Sequence, residues 1–336
     1  MAIRNRVFRD YLDLYRGALR ETRYAELRTL QPAPFASLGH GGAGTAYALW
    51  RLGETRRAKA WIAAALADRG AAAYDPEILA DARRPSLMFG RPGGQWVAAM
   101  IAPAETGRYL RAIRTLPLDE HASGAAGHLL AACVLRRRAS DVALARMIDR
   151  LGARLVTALR ARVDAPWTAR DAMGFAHGWV GICYAILAWA PPEPWIVDAV
   201  VALAARWAPD DTLGPFATSW CNGAAGALLL WTKAFSVTGV PAFVDVARRT
   251  ARAALDGRGA NQSLCCGHIG AAFALLALER VDPRRGWRAE ARALAAEVIA
   301  APRFAYPNGL FQGHPGLACL ALDLVDEPRG FPAIEG

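Results

Sequence analysis

The sequence predicts an all-α fold in which two concentric rings of helices enclose a common core. Seven short Gly-x-x-G steps recur along the chain, each opens an apolar stretch of about ten residues, and amphipathic segments alternate with these stretches. The first glycines of successive steps lie 34 to 54 residues apart, a spacing typical of repeat architectures. The steps are Gly41–Gly44, Gly90–Gly93, Gly124–Gly127, Gly178–Gly181, Gly223–Gly226, Gly267–Gly270 and Gly313–Gly316.

The stretches after the glycines are apolar on nearly every face, which favours helices buried on all sides. Six of them form a clear set: Gly44–Leu52, Gly127–Leu135, Gly181–Ala190, Gly226–Ala234, Gly270–Leu278 and Gly316–Leu324. The second repeat is the weakest, because Pro103 and Gly107 cut its helix short. Glycine suits the turns before these helices, since it permits a tight turn and a close approach of neighbouring backbones.

The segments between the apolar stretches carry apolar residues at helical spacing, with Arg and Asp on the opposite face. They are Arg56–Arg69, Asp141–Arg162, Pro194–Trp207, Pro241–Leu255 and Arg285–Ala300. Helices of this kind need one face in water, so we place them outside the apolar ring. Alternating the two types seven times predicts an α/α toroid with seven inner and seven outer helices.

The chain has no internal linker, so residues 1–336 are predicted to form a single domain. Within the N-terminal segment 1–36, the stretch Ile3–Leu30 predicts an amphipathic helix that packs on the outer ring. Residues 1–9 are basic without an apolar segment behind them, which predicts no signal peptide. Three uncharged windows have the length of a membrane span. Because each contains a Gly-rich turn whose backbone lipid cannot satisfy, we predict buried helices and a cytoplasmic protein.

The net charge is +10, and only Lys59 and Lys233 of the 40 basic residues are lysines. An arginine bias of this kind is expected from a GC-rich genome, but it is also expected from a protein that attracts an acidic partner. No basic block is interleaved with aromatic residues, which argues against nucleic-acid binding.

The strongest chemical pattern is formed by three cysteines in consecutive repeats. Cys221 lies two residues before one turn glycine, and Cys265 and Cys266 lie directly before the next one. Three thiolates can hold Zn²⁺ and leave its fourth position exchangeable, which is typical of a catalytic zinc, and sulfur favours zinc over magnesium or calcium. The alternatives are inert buried cysteines or a disulfide, which a cytosolic chain disfavours.

Polar residues near other turns share the same rim. His177 stands directly before the fourth turn glycine, where it suits either a general acid or base or a histidine that hydrogen-bonds the backbone at a helix start. Asp119 and Glu120 precede the third turn and supply carboxylates. Four further histidines lie near turns, namely His40, His121, His268 and His314. The remaining thiols fall inside apolar stretches and are predicted to be core residues: Cys133, Cys183 and Cys319.

With these motifs in view, the sequence resembles the lanthionine synthetase C-like family from Ser37 to the last repeat. Ala176-His177-Gly178, Trp220-Cys221-x-Gly223 and Cys265-Cys266-Gly267 match its three diagnostic motifs in order and spacing. The resemblance implies seven inner and seven outer helices around one zinc. It also implies Michael-type addition of a peptide cysteine to dehydroalanine or dehydrobutyrine, which closes a thioether ring. His177 becomes the expected acid or base, and Cys221, Cys265 and Cys266 the expected ligands.

The sequence departs from the family pattern at two places. The family's commonest zinc motif is Cys-His-Gly, whereas this chain has Cys266 at the histidine position, so three thiolates and a fast, permissive cyclase are expected. The family's active-site Asp is replaced by Glu120, with Asp119 beside it.

The chain lacks room for a dehydratase domain, so the resemblance implies a separate dehydratase and a dehydrated precursor peptide, with an acidic leader suiting the basic protein. Rival interpretations are addition of a small thiol such as glutathione, or a non-catalytic, zinc-stabilised peptide-binding protein.

Overall fold

The computed structural model describes residues 5–21, 36–68, 86–114, 124–163, 173–208, 216–256, 261–283 and 286–335, and all regular structure in these ranges is helical. This part of the chain forms fourteen α-helices, numbered α1 to α14, and a short 3-10 helix at Pro103–Glu105. The even-numbered helices are α2 Gly42–Arg51, α4 Arg91–Ile101, α6 Ala125–Arg136, α8 Trp179–Trp189, α10 Ala224–Thr238, α12 His268–Val281 and α14 His314–Val325. The odd-numbered helices are α1 Arg6–Glu21, α3 Thr55–Ala67, α5 Thr106–Arg114, α7 Val142–Val163, α9 Pro194–Arg206, α11 Pro241–Asp256 and α13 Trp287–Ala300.

The even-numbered helices form a closed inner ring. Each contacts the even-numbered helix before and after it, and α14 contacts α2. Every odd-numbered helix contacts at least one inner helix and buries an apolar face against it, whereas the inner helices are buried almost completely. The predicted α/α toroid is therefore confirmed. Among the described helices, none is both long and apolar enough to cross a bilayer.

The N-terminal helix completes the outer ring. Helix α1 packs on α14 and α13, so it is the seventh outer helix rather than an addition to the ring. One predicted detail was wrong. The inner helices begin directly after the first glycine of each step, because that glycine is the N-cap. In the second repeat α4 ends at Ile101, just before Pro103, and the outer helix α5 begins immediately after the 3-10 helix that contains Pro103.

The second glycine of each step is required by space rather than by backbone conformation. A Cβ atom at Gly181 would lie 1.9 Å from the carbonyl oxygen of Phe175, and one at Gly226 would lie 2.1 Å from that of Trp220. The same carbonyl, six residues earlier in the chain, approaches the second glycine in four further repeats: Gly44, Gly93, Gly270 and Gly316. Each of these six turns therefore folds back onto the first turn of its own inner helix.

Backbone hydrogen bonds join successive turns at the N-terminal end of the inner helices, which we call the mouth of the ring. Position −1 denotes the residue immediately before the first glycine of a step, and position −2 the residue before that. The position −2 N–H of one turn donates to the position −2 carbonyl of the next turn, at 2.7–3.3 Å. This mouth series runs through Ala176, Cys221, Cys265, Phe311, Gly39 and Met88 in that order. Position −2 of the third turn lies outside the described residues.

The C-terminal segment 326–335 enters the centre of the ring. Phe331 is fully buried against Trp220 of the fifth turn and Phe273 of α12, with ring centroids 5.3 and 5.5 Å apart. The Glu335 carboxylate accepts a hydrogen bond from Tyr184 on α8 and pairs with Arg280 on α12. Because α8 and α12 occupy different sectors of the ring, the segment fills its interior beneath the mouth.

A buried ion pair holds this segment at the opposite end of the ring. Arg51 at the end of α2 and Asp323 on α14 lie 2.6 Å apart and are almost fully buried. The second Asp323 oxygen accepts hydrogen bonds from the backbone N–H groups of Arg329 and Gly330. Burial raises the pKa of Asp323, whereas the Arg51 guanidinium opposes that rise.

Substituting Gly181→Ala should destabilise the protein by about 1–3 kcal/mol or more, because the new methyl group meets a backbone carbonyl that cannot move freely. The matched control is Gly17→Ala in α1, where a Cβ atom would have no neighbour within 4 Å. That change should stabilise the protein by roughly 0.5–1 kcal/mol through helix propensity. Denaturant unfolding measures both, and equal effects of the two substitutions would contradict the close-approach explanation.

Substituting Arg51→Met should cost about 3–5 kcal/mol of unfolding free energy, because it leaves the Asp323 carboxylate buried without its partner. The double variant Arg51→Met/Asp323→Leu removes both charges and should recover most of that loss. A double variant no more stable than the single one would show that the charge pair is not the cause.

Candidate active site

Three thiols converge at the mouth of the ring. The Sγ atoms of Cys221, Cys265 and Cys266 all lie within 4.8 Å of one another, and those of Cys221 and Cys266 are 3.9 Å apart. Cys221 and Cys265 occupy position −2 of neighbouring turns and are hydrogen-bonded to each other through the mouth series. The backbone therefore fixes the spacing of these two thiols before any ligand binds.

Serines at position −4 orient the turns that carry the thiols. Ser219 Oγ accepts a hydrogen bond from the Asn222 N–H at 3.1 Å, and Ser263 Oγ accepts one from the Cys266 N–H at 3.0 Å. Ser219 Oγ also lies 3.4 Å from Cys221 Sγ. Because this oxygen already accepts from a backbone N–H, its own proton is free to donate to a Cys221 thiolate, which would favour the ionised sulfur.

The electrostatics of the cluster favour negative charge. Hydrogen bonds from the Cys265 and Cys266 thiols lower the pKa of Cys221, and Ser219 and the charge of His177 act in the same direction. Because the Cys265 and Cys266 thiols use their protons in hydrogen bonds to the Cys221 sulfur, those protons are held more tightly. The pKa of Cys265 and that of Cys266 are therefore raised. The N-termini of the inner helices contribute positive potential at the same end of the ring.

The cluster fits zinc. Thiolates around tetrahedral zinc, at the usual Zn–S distance of about 2.3 Å, lie about 3.8 Å apart, which matches the 3.9 Å separation of Cys221 and Cys266. A divalent cation would also replace the two protons that the crowded thiols retain, since metal binding ionises all its cysteine ligands. Sulfur donors alone exclude the hard cations magnesium and calcium.

Two of the thiols, those of Cys221 and Cys265, border a pocket at the mouth. Its wall is formed mainly by residues at positions −1 and −2 of several turns: Gly39, His40, Met88, Phe89, Ala176, His177, Cys221, Cys265, Phe311 and Gln312, with Trp220 beside them. His177 is the exposed member of this group next to the thiols. The residue at position −1 of the fourth turn thus borders the same space as Cys221 and Cys265.

The other candidate site residues from the sequence lie at different places in the structure, and some lie outside its described part. Asp119, Glu120 and His121 lie outside the described residues, so their roles stay predictions. Of the other rim histidines, His314 opens α14 and lies 3.1 Å from the Tyr11 hydroxyl on α1, and His268 opens α12. The three remaining thiols lie within inner helices as expected: Cys183 and Cys319 fully buried, and Cys133 partly buried.

Two features of the site were missed in the sequence. Trp220 is buried beside Cys221 and stacked on Phe331, so the C-terminal segment supports the loop that carries a thiol. Gln312, at position −1 of the seventh turn, borders the pocket and lowers the pKa of Cys266. Reading every turn at positions −1, −2 and −4 would have found Gln312. Nothing periodic in residues 326–335 indicates that they enter the ring.

A closed toroid with a thiol cluster and a histidine at its mouth defines the class of protein. The family model for lanthionine synthetase C-like proteins matches residues 35–335, so the chain belongs to that family. Among solved structures it is similar to nisin cyclase, with a TM-score of 0.63 and 14% identity over 95% of this chain and 93% of that one. At this identity the similarity establishes the shared α/α toroid, and the resemblance carried by the sequence motifs is confirmed.

We expect purified protein to contain one zinc per chain and Cys221→Ala to contain almost none, because two thiolates hold zinc poorly. Cys133→Ala removes a thiol from α6, outside the cluster, and should keep its zinc. Metal analysis after zinc-replete expression measures all three. Equal zinc content in the two variants would exclude Cys221 as a ligand.

Proposed function

We propose that the protein is a zinc-dependent lanthipeptide cyclase, which adds cysteine thiols of a peptide to dehydroalanine or dehydrobutyrine residues of the same peptide. The observation that carries this proposal is a cluster of three thiols at the mouth of the ring, two of which border the same pocket as the exposed His177. Family membership supports the reaction class. The product is a lanthionine or methyllanthionine thioether ring.

Cys221, Cys265 and Cys266 would hold the zinc ion on one side, and the pocket would receive the peptide on the other. A zinc ion held there would keep the substrate thiol ionised at neutral pH. The turns hold their three thiols through backbone hydrogen bonds, so the cluster needs little rearrangement on binding. Trp220, Met88 and Phe311 supply apolar walls to the pocket, which suit the uncharged dehydro residue.

His177 moves the proton in this mechanism. The substrate thiol gives its proton to the His177 imidazole, and the sulfur pair then forms the S–Cβ bond. The Cα=Cβ electron pair shifts to the carbonyl oxygen and leaves an enolate. His177 returns the proton to Cα, the carbonyl reforms, and no proton is gained or lost overall. One histidine at this position serves as base and then as acid.

The substrate and its supply follow from the same proposal. The toroid that the family match spans would carry out the cyclisation step, and we infer that a separate dehydratase prepares the precursor. The net charge of +10 favours a precursor with an acidic leader. Thiols that must remain reduced favour a cytoplasmic setting.

The variant His177→Asn should keep zinc and fold but slow ring closure by on the order of 10²–10⁴-fold, because it removes the proton-transfer group. Single-turnover cyclisation of a dehydrated precursor measures the rate, with mass spectrometry after thiol alkylation as the readout. Zinc content and melting temperature are determined on the same preparation.

Three outcomes would change the proposal. An unchanged rate per folded molecule would end the acid and base assignment of His177. Preferential addition of glutathione to the dehydrated peptide, with its own cysteines left free, would favour a small-thiol transferase. Zinc-loaded protein that binds the peptide without closing rings would favour a non-catalytic role.

A further inference from the structure

His40 is a second histidine of the pocket and is held very differently from His177. It occupies position −1 of the first turn, the register position of His177 in the fourth turn and of Cys266 in the sixth. It is 7% exposed, whereas His177 is exposed. Both residues border the pocket that Cys221 and Cys265 also line.

Aromatic packing and a turn hydrogen bond fix the His40 ring. It stacks on Phe89 at 5.4 Å between ring centroids and meets the edge of Tyr306 at 5.3 Å. Its backbone N–H is directed to Ser37 Oγ at 3.4 Å, the position −4 serine of its own turn. A ring held on two sides in this way has little freedom to rotate. The nitrogen atoms of the His40 ring are therefore held in one orientation relative to the pocket.

The surroundings of the two ring nitrogens of His40 indicate which of them carries the proton. Nδ1 is buried and has no hydrogen-bond partner within the described part of the chain. Burial lowers the pKa of His40 to about 4, so the ring is neutral at physiological pH. Leaving a bare acceptor nitrogen buried is less costly than burying an unpaired N–H donor. The neutral tautomer that satisfies this condition carries its proton on Nε2.

We propose that His40 binds the carbonyl oxygen of the dehydro residue through Nε2–H and stabilises the enolate that forms there. The inference rests on the proposed cyclase function and adds an electrophilic group to it. As the thiolate forms the S–Cβ bond, the π pair moves to this oxygen, and the His40 proton stays on nitrogen while its hydrogen bond shortens. His177 then delivers the proton to Cα. A neutral imidazole fixed beforehand is suited to this task, because it needs no reorganisation as charge develops.

The division of labour between the two histidines follows from their surroundings. His177 is exposed, so its ring is accessible to a peptide that enters the pocket. His40 is buried, and a charged imidazolium there would be costly because it has lost its water. His40 therefore donates a hydrogen bond to the enolate oxygen without losing its proton, and His177 protonates Cα.

Three substitutions at His40 separate this role from a structural one. His40→Phe keeps a flat ring against Phe89 but removes both nitrogens. His40→Gln places an amide N–H near the former Nε2, and His40→Asn places one near the former Nδ1. With zinc content and melting temperature unchanged, we expect His40→Phe to lower kcat about 10²–10³-fold, with KM altered less than kcat. His40→Gln should recover at least tenfold of that loss, and His40→Asn should not.

The same assay on unaltered protein separates the two proposals. Turnover by the unaltered protein with unchanged kcat in His40→Phe would overturn the role of His40 and leave the cyclase function standing. Equal activity of His40→Gln and His40→Asn would also overturn it, since the role requires a donor at Nε2. Failure of the zinc-loaded, unaltered protein to close rings in a dehydrated precursor would overturn the cyclase function and this inference together.

Discussion

The backbone hydrogen bonds of the mouth series hold together most of what makes this site. They connect position −2 of one turn to position −2 of the next across six of the seven repeats, and they are possible only because each turn folds tightly onto its own helix. The second glycine of each step makes that fold-back possible, since a methyl group there would overlap a backbone carbonyl in the repeats where the contact is resolved. Side chains at positions −1 and −2 therefore converge on one pocket. Cys221 and Cys265 both lie at position −2, so the hydrogen bonds between their turns set the spacing of their thiols.

The C-terminal segment 326–335 packs beneath the mouth and supports it, in addition to the hydrogen bonds between neighbouring turns. The C-terminal segment reaches from the buried Arg51–Asp323 pair to Phe331, whose ring stacks on Trp220 beside Cys221. This arrangement packs the centre of the ring with chain that belongs to no helix, and it places an apolar floor under the thiol loop. Burial on that side raises the pKa of Cys221, whereas the hydrogen bonds of the cluster lower it and are stronger where water is excluded.

The repeats could be predicted from the sequence because each carries its own signal, a glycine step followed by an apolar helix. The thiol cluster could be predicted for the same reason, since Cys221, Cys265 and Cys266 stand at repeated positions. Two kinds of feature could not be derived. The helix starts were misplaced because the first glycine serves as the N-cap, which the apolar pattern does not show. The path of residues 326–335 depends on contacts with distant helices, such as that of Phe331 with Trp220, and no local pattern encodes it.

Zinc K-edge X-ray absorption on the purified protein tests the central claim most directly, because it reports the donor atoms at the mouth without reference to activity. The account predicts three sulfur atoms at about 2.3 Å and one nitrogen or oxygen atom at about 2.0–2.2 Å, the latter replaced by a fourth sulfur when a dehydrated, cysteine-containing peptide is added. Two sulfur atoms with the outer-shell scattering of a coordinated imidazole would contradict it, since a histidine would then occupy the place assigned to one of the three thiols.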